Sequence, residues 1–179
     1  MPSSHSTAVA GADAEPMQID SDYTRENPGL VPELARVLAN THILKLRTHA
    51  FRRTLPEYCR VPIGRIFEAD EKKLKAGVAA IAKQFERLGL QAPASRRKFL
   101  EAYGEITGLA DLDAGVRAVC VDAMIAQLQE DYRRASLRIQ QCLRECHRIS
   151  DVELEGVLLE RLKQHVEALR GIEKILPEE

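Results

Sequence analysis

Residues 63–89 read IGRIFEADEKKLKAGVAAIAKQFERLG. Apolar side chains return at Ile63, Phe67, Leu74, Val78, Ile81, Phe85 and Leu88, in steps of three, four and seven. Those steps gather side chains on one face of an α-helix, whereas a strand would alternate every second residue. Between them stand Glu, Lys, Ala and Arg, which favour helix and suit a solvated face. Gly89 supplies the left-handed residue that closes such a helix, and Pro93 prevents its continuation. The stretch therefore reads as one long amphipathic helix with a partner to cover its apolar side.

The same period recurs on both sides. Leu34, Leu38, Leu44 and Phe51 predict a helix over about 31–55, with Pro32 in its first turn and Pro56 ending it. Val121, Ile125, Leu128, Tyr132, Ala135, Ile139, Cys142 and Cys146 predict a third over about 113–148. Leu154, Leu158, Leu162, His165, Leu169, Ile172 and Leu176 predict a fourth over about 151–176, opened by a capping box at Ser150-Asp151-Val152-Glu153. A short extra helix is expected over 95–106, with Ser95 as its N-cap. Four long helices with mostly short connections imply antiparallel packing around one core. The fold class is all-α, with residues 29–179 as one bundle domain and residues 1–28 as a flexible acidic arm.

Composition agrees. The 179 residues are 45% hydrophobic and only 4% aromatic, without Trp, which is poor material for sheets. No apolar run reaches the roughly 20 residues that a bilayer span needs. The N-terminus lacks the basic start and apolar middle of a secretory leader, so the expectation is a soluble, cytoplasmic protein with no membrane partner. Cys59, Cys120, Cys142 and Cys146 are then expected as thiols. The net charge of -1 and the acidic arm, with Asp13, Glu15, Asp20, Asp22 and Glu26, argue against DNA binding through that arm. The basic clusters Lys72-Lys73-Lys75, Arg96-Arg97-Lys98 and Arg133-Arg134 read first as solvated faces, though repeated around an oligomer they could bind a polyanion.

Three segments carry a family resemblance. They are Val37-Leu38-Ala39-Asn40-Thr41 followed by Lys45-Leu46-Arg47-Thr48-His49-Ala50-Phe51, then Ile66-Phe67-Glu68, and Ile81 to Gly89. With the small helix between the second and third long ones, they resemble the Dps (miniferritin) family of ferritin-like proteins over roughly residues 30–176. The resemblance implies a ferritin-like antiparallel four-helix bundle, a dodecameric homo-oligomeric shell, and iron oxidised between two-fold-related subunits.

Carried over residue by residue, the ligand positions that the resemblance implies fall on Arg52, Gly64, Glu68, Ala79 and Lys83. Only Glu68 is a ligand type. Gly64 and Ala79 offer no donor, and Arg52 and Lys83 place positive charge where a cation would sit. The expectation is a degenerate ferroxidase centre with no catalytic residue at the usual site, in which Glu68 pairs with Arg52 or Lys83. A displaced metal site could use Glu68, His49 and His42, since the two histidines lie seven apart on one helix. Iron remains the one cofactor to consider.

Other candidates have plainer readings beside the functional one. Cys142 and Cys146 could form a thiol site, but their place on the apolar stripe suits buried small side chains; His147 is expected to point elsewhere. Asp151, Glu153 and Glu155 could line a pore, yet acidic residues favour helix N-termini for dipole reasons alone, and Gly156 falls close to the family's pore Asp. His165 reads as a satisfied core histidine. The functions that follow are a structural or storage shell in iron and oxidative-stress handling, or a hetero-oligomer partner of an active paralogue. The alternatives are an active miniferritin with a relocated site, and a non-enzymatic helical interaction or DNA-compaction module.

Overall fold

The structure is a computed structural model that describes Ile19 and residues 21–91, 95–105 and 120–175. Among these residues it contains helices α1 (Asp22–Glu26), α2 (Leu30–Thr54), α3 (Glu57–Arg60), α4 (Pro62–Arg87), α5 (Arg96–Tyr103), α6 (Val121–Ile149) and α7 (Val152–Glu173). The four long helices are those the periodicity predicts.

Cross-helix contacts give the topology. His49 meets Glu71 while Gly64 lies beside Leu55, so α2 and α4 run antiparallel. Arg47 meets Asp131 and Arg138 meets Glu33, so α2 and α6 are antiparallel too. Lys73–Glu167 and Gln84–Glu153 set α4 against α7, and Ser136–His165 and His147–Glu155 set α6 against α7. The helices thus form a square, α2–α4–α7–α6, with parallel helices on its diagonals. Because α4 and α6 are diagonal, the chain between them must travel the length of the bundle. On that route α5 packs against α2 through Phe99 and Leu100, and the Glu105 amide donates to Asn40 Oδ1.

The apolar stripes become the core. Phe67, Leu74, Ile81 and Phe85 of α4 are buried, as are Ile125, Leu128, Tyr132, Ile139, Cys142 and Cys146 of α6. Each such side chain contributes about 1.5–3 kcal/mol on leaving water. Helix α2 touches α4, α5 and α6, which explains its weaker amphipathic signal: it is covered on three sides and buries Asn40, Thr41, Arg47 and Thr48 besides its leucines.

Three expectations about boundaries change. The third long helix starts at Val121, since Cys120 has extended backbone; residues 113–119 of the expected span lie outside the described residues. The N-cap of α7 is Asp151, not Ser150, with its side chain accepting from the Leu154 amide at 3.0 Å. Ser150 instead takes a left-handed conformation (φ 56°), the reversal that lets α6 turn directly into α7. Residues 22–26, expected as extended arm, form a helical turn capped by Ser21. Ile106, Leu176 and most of the N-terminal arm lie outside the described residues.

Candidate functional site

The positions that the resemblance assigns to metal lie on the outer flanks of α2 and α4. Arg52 is half-buried, Gly64 is buried, and Glu68, Ala79 and Lys83 are exposed. The expected pairing of Glu68 with Arg52 or Lys83 does not occur. Glu68 pairs with Lys72 one turn along its own helix, at 3.0 Å, and the hydrogen bond from Lys72 holds its carboxyl below the usual range. Arg52 pairs instead with Glu71, Nε to Oε2 at 3.1 Å, as a charge contact rather than an aligned hydrogen bond. His49 Nδ1 meets the other Glu71 oxygen at 2.8 Å. Glu71 is therefore the carboxylate at the centre of this surface.

Direction of side chains explains the difference. A helical side chain leans toward its own N-terminus, so Arg52 reaches back along α2. Because α4 runs the other way, that reach leads up α4, from the level of Glu68 to that of Glu71. Glu68 is left with Lys72 at i+4, a favourable order of charges.

These groups do not fit iron. Iron needs imidazole and carboxylate donors that converge with free lone pairs. Glu71 already faces a guanidinium and an imidazole, and Glu68 faces an ammonium. The displaced set of His42, His49 and Glu68 does not converge: His49 turns to Glu71 and Glu68 to Lys72. His42 sits between α2 and α5, with its pKa lowered to about 4 by burial and then by Lys45 and Arg96. Among the described residues, no group of three or more His, Cys, Asp or Glu side chains is arranged to hold a metal ion.

The acidic candidates at the start of α7 also have partners. Asp151 caps α7 and binds Arg87 at 2.5 Å; Glu153 binds Gln84 at 3.1 Å. Glu155 binds His147 at 2.9 Å, on the exposed side of α6 and turned away from the buried cysteines. Cys142 and Cys146 are both fully buried, with the Cys146 thiol donating to the Asp151 carbonyl at 3.2 Å. Burial pushes the Cys146 thiol up to about 11 and raises Cys142 as well, so neither is a ready nucleophile.

Sequence reasoning missed the densest polar region, which lies inside the square. Arg47 and Asp131 form an ion pair between α2 and α6, with only 5% and 1% of their side chains exposed. One layer away, Arg161 crosses from α7 to α4 and donates through Nη1 to the Lys73 carbonyl at 2.9 Å. Asp70 and Tyr132 lie within its electrostatic reach. His165 stacks edge-on against Tyr132, and its Nδ1 meets the Ser136 hydroxyl at 3.3 Å. Its Nε2 meets no protein partner, so the expectation of a fully satisfied core histidine holds for one nitrogen only. Burial, then the Arg161 charge, lowers its pKa to about 3 and keeps it neutral. Bundle interiors of the ferritin-like di-iron type present carboxylates and histidines from all four helices. Here two guanidiniums share that interior with two aspartates, so charge is balanced by side chains rather than by metal. The one available signal was on α4, where Asp70, Gly77 and Gln84 fall seven apart beside the apolar stripe.

No sequence-family model matches the chain, and no curated protein matches it by sequence. Solved structures do match. Dps from Thermosynechococcus elongatus is similar with a TM-score of 0.76 at 14% identity, over 89% of this chain and 97% of that one. DpsC from Streptomyces coelicolor is similar with a TM-score of 0.77 at 14% identity, over 91% and 92%. A Dps protein from Vibrio cholerae O1, described as a member of a broad superfamily of ferritin-like diiron-carboxylate proteins, matches at 0.74 and 12% identity, over 98% and 100%. Such agreement over almost the whole of both chains shows that this protein has the all-α, ferritin-like bundle fold of Dps proteins.

Proposed function

We propose that the chain is a divergent Dps-like subunit, acting in iron and oxidative-stress handling as a structural, storage or partner component whose ferroxidase centre is largely lost. The observation that carries this reading is the Arg52–Glu71–His49 cluster together with Glu68–Lys72. On a bundle with the Dps fold, side-chain cations occupy the flank of α2 and α4 where the resemblance expects iron. Compensated carboxylates of this kind retain little affinity for Fe(II), because binding would first require displacing a guanidinium or ammonium. The assembly expected is a homo-oligomeric, dodecameric shell in the cytoplasm, or a mixed shell in which an active paralogue supplies the chemistry.

The test combines particle mass with iron oxidation. Light scattering on the purified chain should give a dodecamer, and Fe(II) mixed with oxygen or peroxide should oxidise no faster than in buffer. A stable monomer would remove the shell. Stoichiometric Fe(II) binding under anaerobic titration would restore a working or relocated centre.

A further inference from the structure

Helix α7 carries two apolar faces. One is the buried stripe of Leu154, Leu158, Ala168 and Ile172. The other is exposed: Val152, Leu159 and Val166 are 77%, 49% and 40% accessible. Steps of seven put these three on one face, and Lys163 and Arg170 stand one turn beyond Leu159 and Val166 on the same face. The adjoining row of α6 has the same make-up. Arg133, Leu137 and Arg144 are exposed in steps of four and seven, and His147, three residues on, meets Glu155 of α7. The two rows therefore form one surface, the α6–α7 side of the square. Five of the seven large hydrophobic side chains exposed among the described residues belong to these two helices, so apolar exposure is gathered rather than scattered.

The charges of this side choose its occupant. Among the described residues, Arg133, Arg144, Lys163 and Arg170 have no ion-pair partner, whereas Arg134, Arg138 and Arg148 of α6 are all paired. The acids here do not compensate them: Glu155 is taken by His147, and Asp122 and Glu173 lie at the end away from the α6–α7 turn. A second copy of this face would bring the same cations and be repelled. An acidic, apolar segment fits, and the chain contains one. Residues 1–18, which lie outside the described residues, hold Asp13 and Glu15 among Ala8, Val9, Ala10, Ala12, Ala14 and Met17, with no Lys or Arg. The segment is rooted at the right end of the bundle. Gly29, where α2 begins, abuts the Glu145 carboxylate four residues before the end of α6. From Gly29 back to Asp13 the chain can reach up to about 55 Å, and Lys163 stands only about 17 Å along α7 from Val152.

We infer that residues 1–18 dock on the α6–α7 side of their own bundle, with Asp13 and Glu15 beside Lys163 and the free arginines, and the small apolar side chains over Leu159 and Val166. Because the segment is tethered, its local concentration is on the order of millimolar, so a weak contact suffices. The inference does not rest on the iron reading, since the positions assigned to metal lie on α2 and α4.

The experiment treats the full-length chain with a water-soluble carbodiimide, which joins a carboxyl to an adjacent amine as an amide and takes up the lost water as a urea. Lys163 is the amine at the centre of this side; Lys75 and Lys98, exposed on α4 and α5, report an undocked segment. In the monomer band of a denaturing gel, mass mapping should find Asp13 or Glu15 joined to Lys163 at least about fivefold more often than to Lys75 or Lys98. Arg144→Gln with Arg170→Gln, changes at exposed side chains that leave the fold intact, should lower that ratio at least about threefold. Links spread evenly over the lysines, a Lys163 link confined to covalent dimers (the segment of a second copy), or a ratio unmoved by the arginine changes overturns the inference.

Discussion

Gly77 stands in the middle of α4, where glycine is normally a defect. Replacing it by alanine on an exposed helix would stabilise the fold by about 1 kcal/mol. Here the added Cβ would lie 2.7 Å from both Cδ and Cζ of Arg161. Real carbon atoms do not approach so closely, so Arg161 would have to move. A free arginine tip moves at little cost, but this one is tied. The residue is 3% exposed, its Nη1 donates to the Lys73 carbonyl at 2.9 Å, and it is also held by Gln164. Overpacking of this kind costs about 1–3 kcal/mol, and loss of a charged hydrogen bond about 1.5–3 kcal/mol. Set against the gain in helix propensity, Gly77→Ala should destabilise by about 1–3 kcal/mol. The measurement is urea unfolding followed by circular dichroism at fixed protein concentration, because assembly would make the midpoint concentration-dependent. The companion is the same change in an Arg161→Leu background. There the obstruction is gone, and alanine should become neutral or stabilising by up to about 1 kcal/mol. A Gly77→Ala protein as stable as its parent, or the same destabilisation in both backgrounds, would refute the argument that the glycine exists to let Arg161 pass.

Three further outcomes follow from the same interior. Breaking the Arg47–Asp131 pair by Arg47→Met should cost about 3–5 kcal/mol in chemical unfolding, and adding Asp131→Leu should recover most of it, because the single change leaves a buried charge behind. Burial raises Asp70 to about 6, above its unfolded value, against the opposing pull of Lys73 and Arg161. Its folded state therefore holds protons more tightly, so this contribution is greatest below pH 4, falls as pH rises to about 6, and is flat beyond. Asp70→Asn should gain about 2–3 kcal/mol on the parent across that window, and parallel urea-stability curves for the two would contradict it. His165 behaves oppositely, since its folded value is depressed to about 3. Its contribution is full above pH 6.5 and is lost on acidification below that, so His165→Leu should flatten the acid limb of stability measured by thermal unfolding.

The long helices were legible because each is a one-dimensional pattern. Phe67, Leu74, Ile81 and Phe85 declare a buried face without reference to any other segment. Caps were legible nearly as well: Gly89 does take the left-handed conformation, and Ser95 does accept from Lys98. The error at Ser150 was one residue, and it arose because two motifs overlap there. A serine before Asp-Val-Glu looks like an N-cap, yet the tight reversal out of α6 needs a left-handed residue first. Partner choice between helices was not legible. Arg47 and Asp131 are 84 residues apart, and nothing local to either names the other. Glu71 escaped notice beside Glu68 for a related reason: which of two carboxylates a long side chain reaches depends on helix direction and on the lean of the side chain. The turn α1 was hidden by its shortness, since five residues make no period.

The fold does not depend on which residues stand at the positions that the resemblance assigns to metal, because of where those positions lie. Glu68, Ala79 and Lys83 project from the exposed flank of α4, Arg52 is half-buried on α2, and only Gly64 is buried. At Gly64 even a Cβ would meet nothing closer than Leu55 Cδ1 at 3.8 Å, so the position is not held by close packing either. Substitutions at such places cost a folded subunit within about half a kcal/mol. The stripes that join the helices are a separate set of residues. Carboxylates on this flank would repel one another without a cation, and Arg52 and Lys72 supply that compensation within the chain. A chain built this way has no need of metal to settle the charge of this flank. Its interior follows the same rule, with Arg47 and Arg161 set among Asp70 and Asp131. The residues that pack this bundle are thus a different set from those the resemblance assigns to metal, and possession of the fold says nothing about the second set.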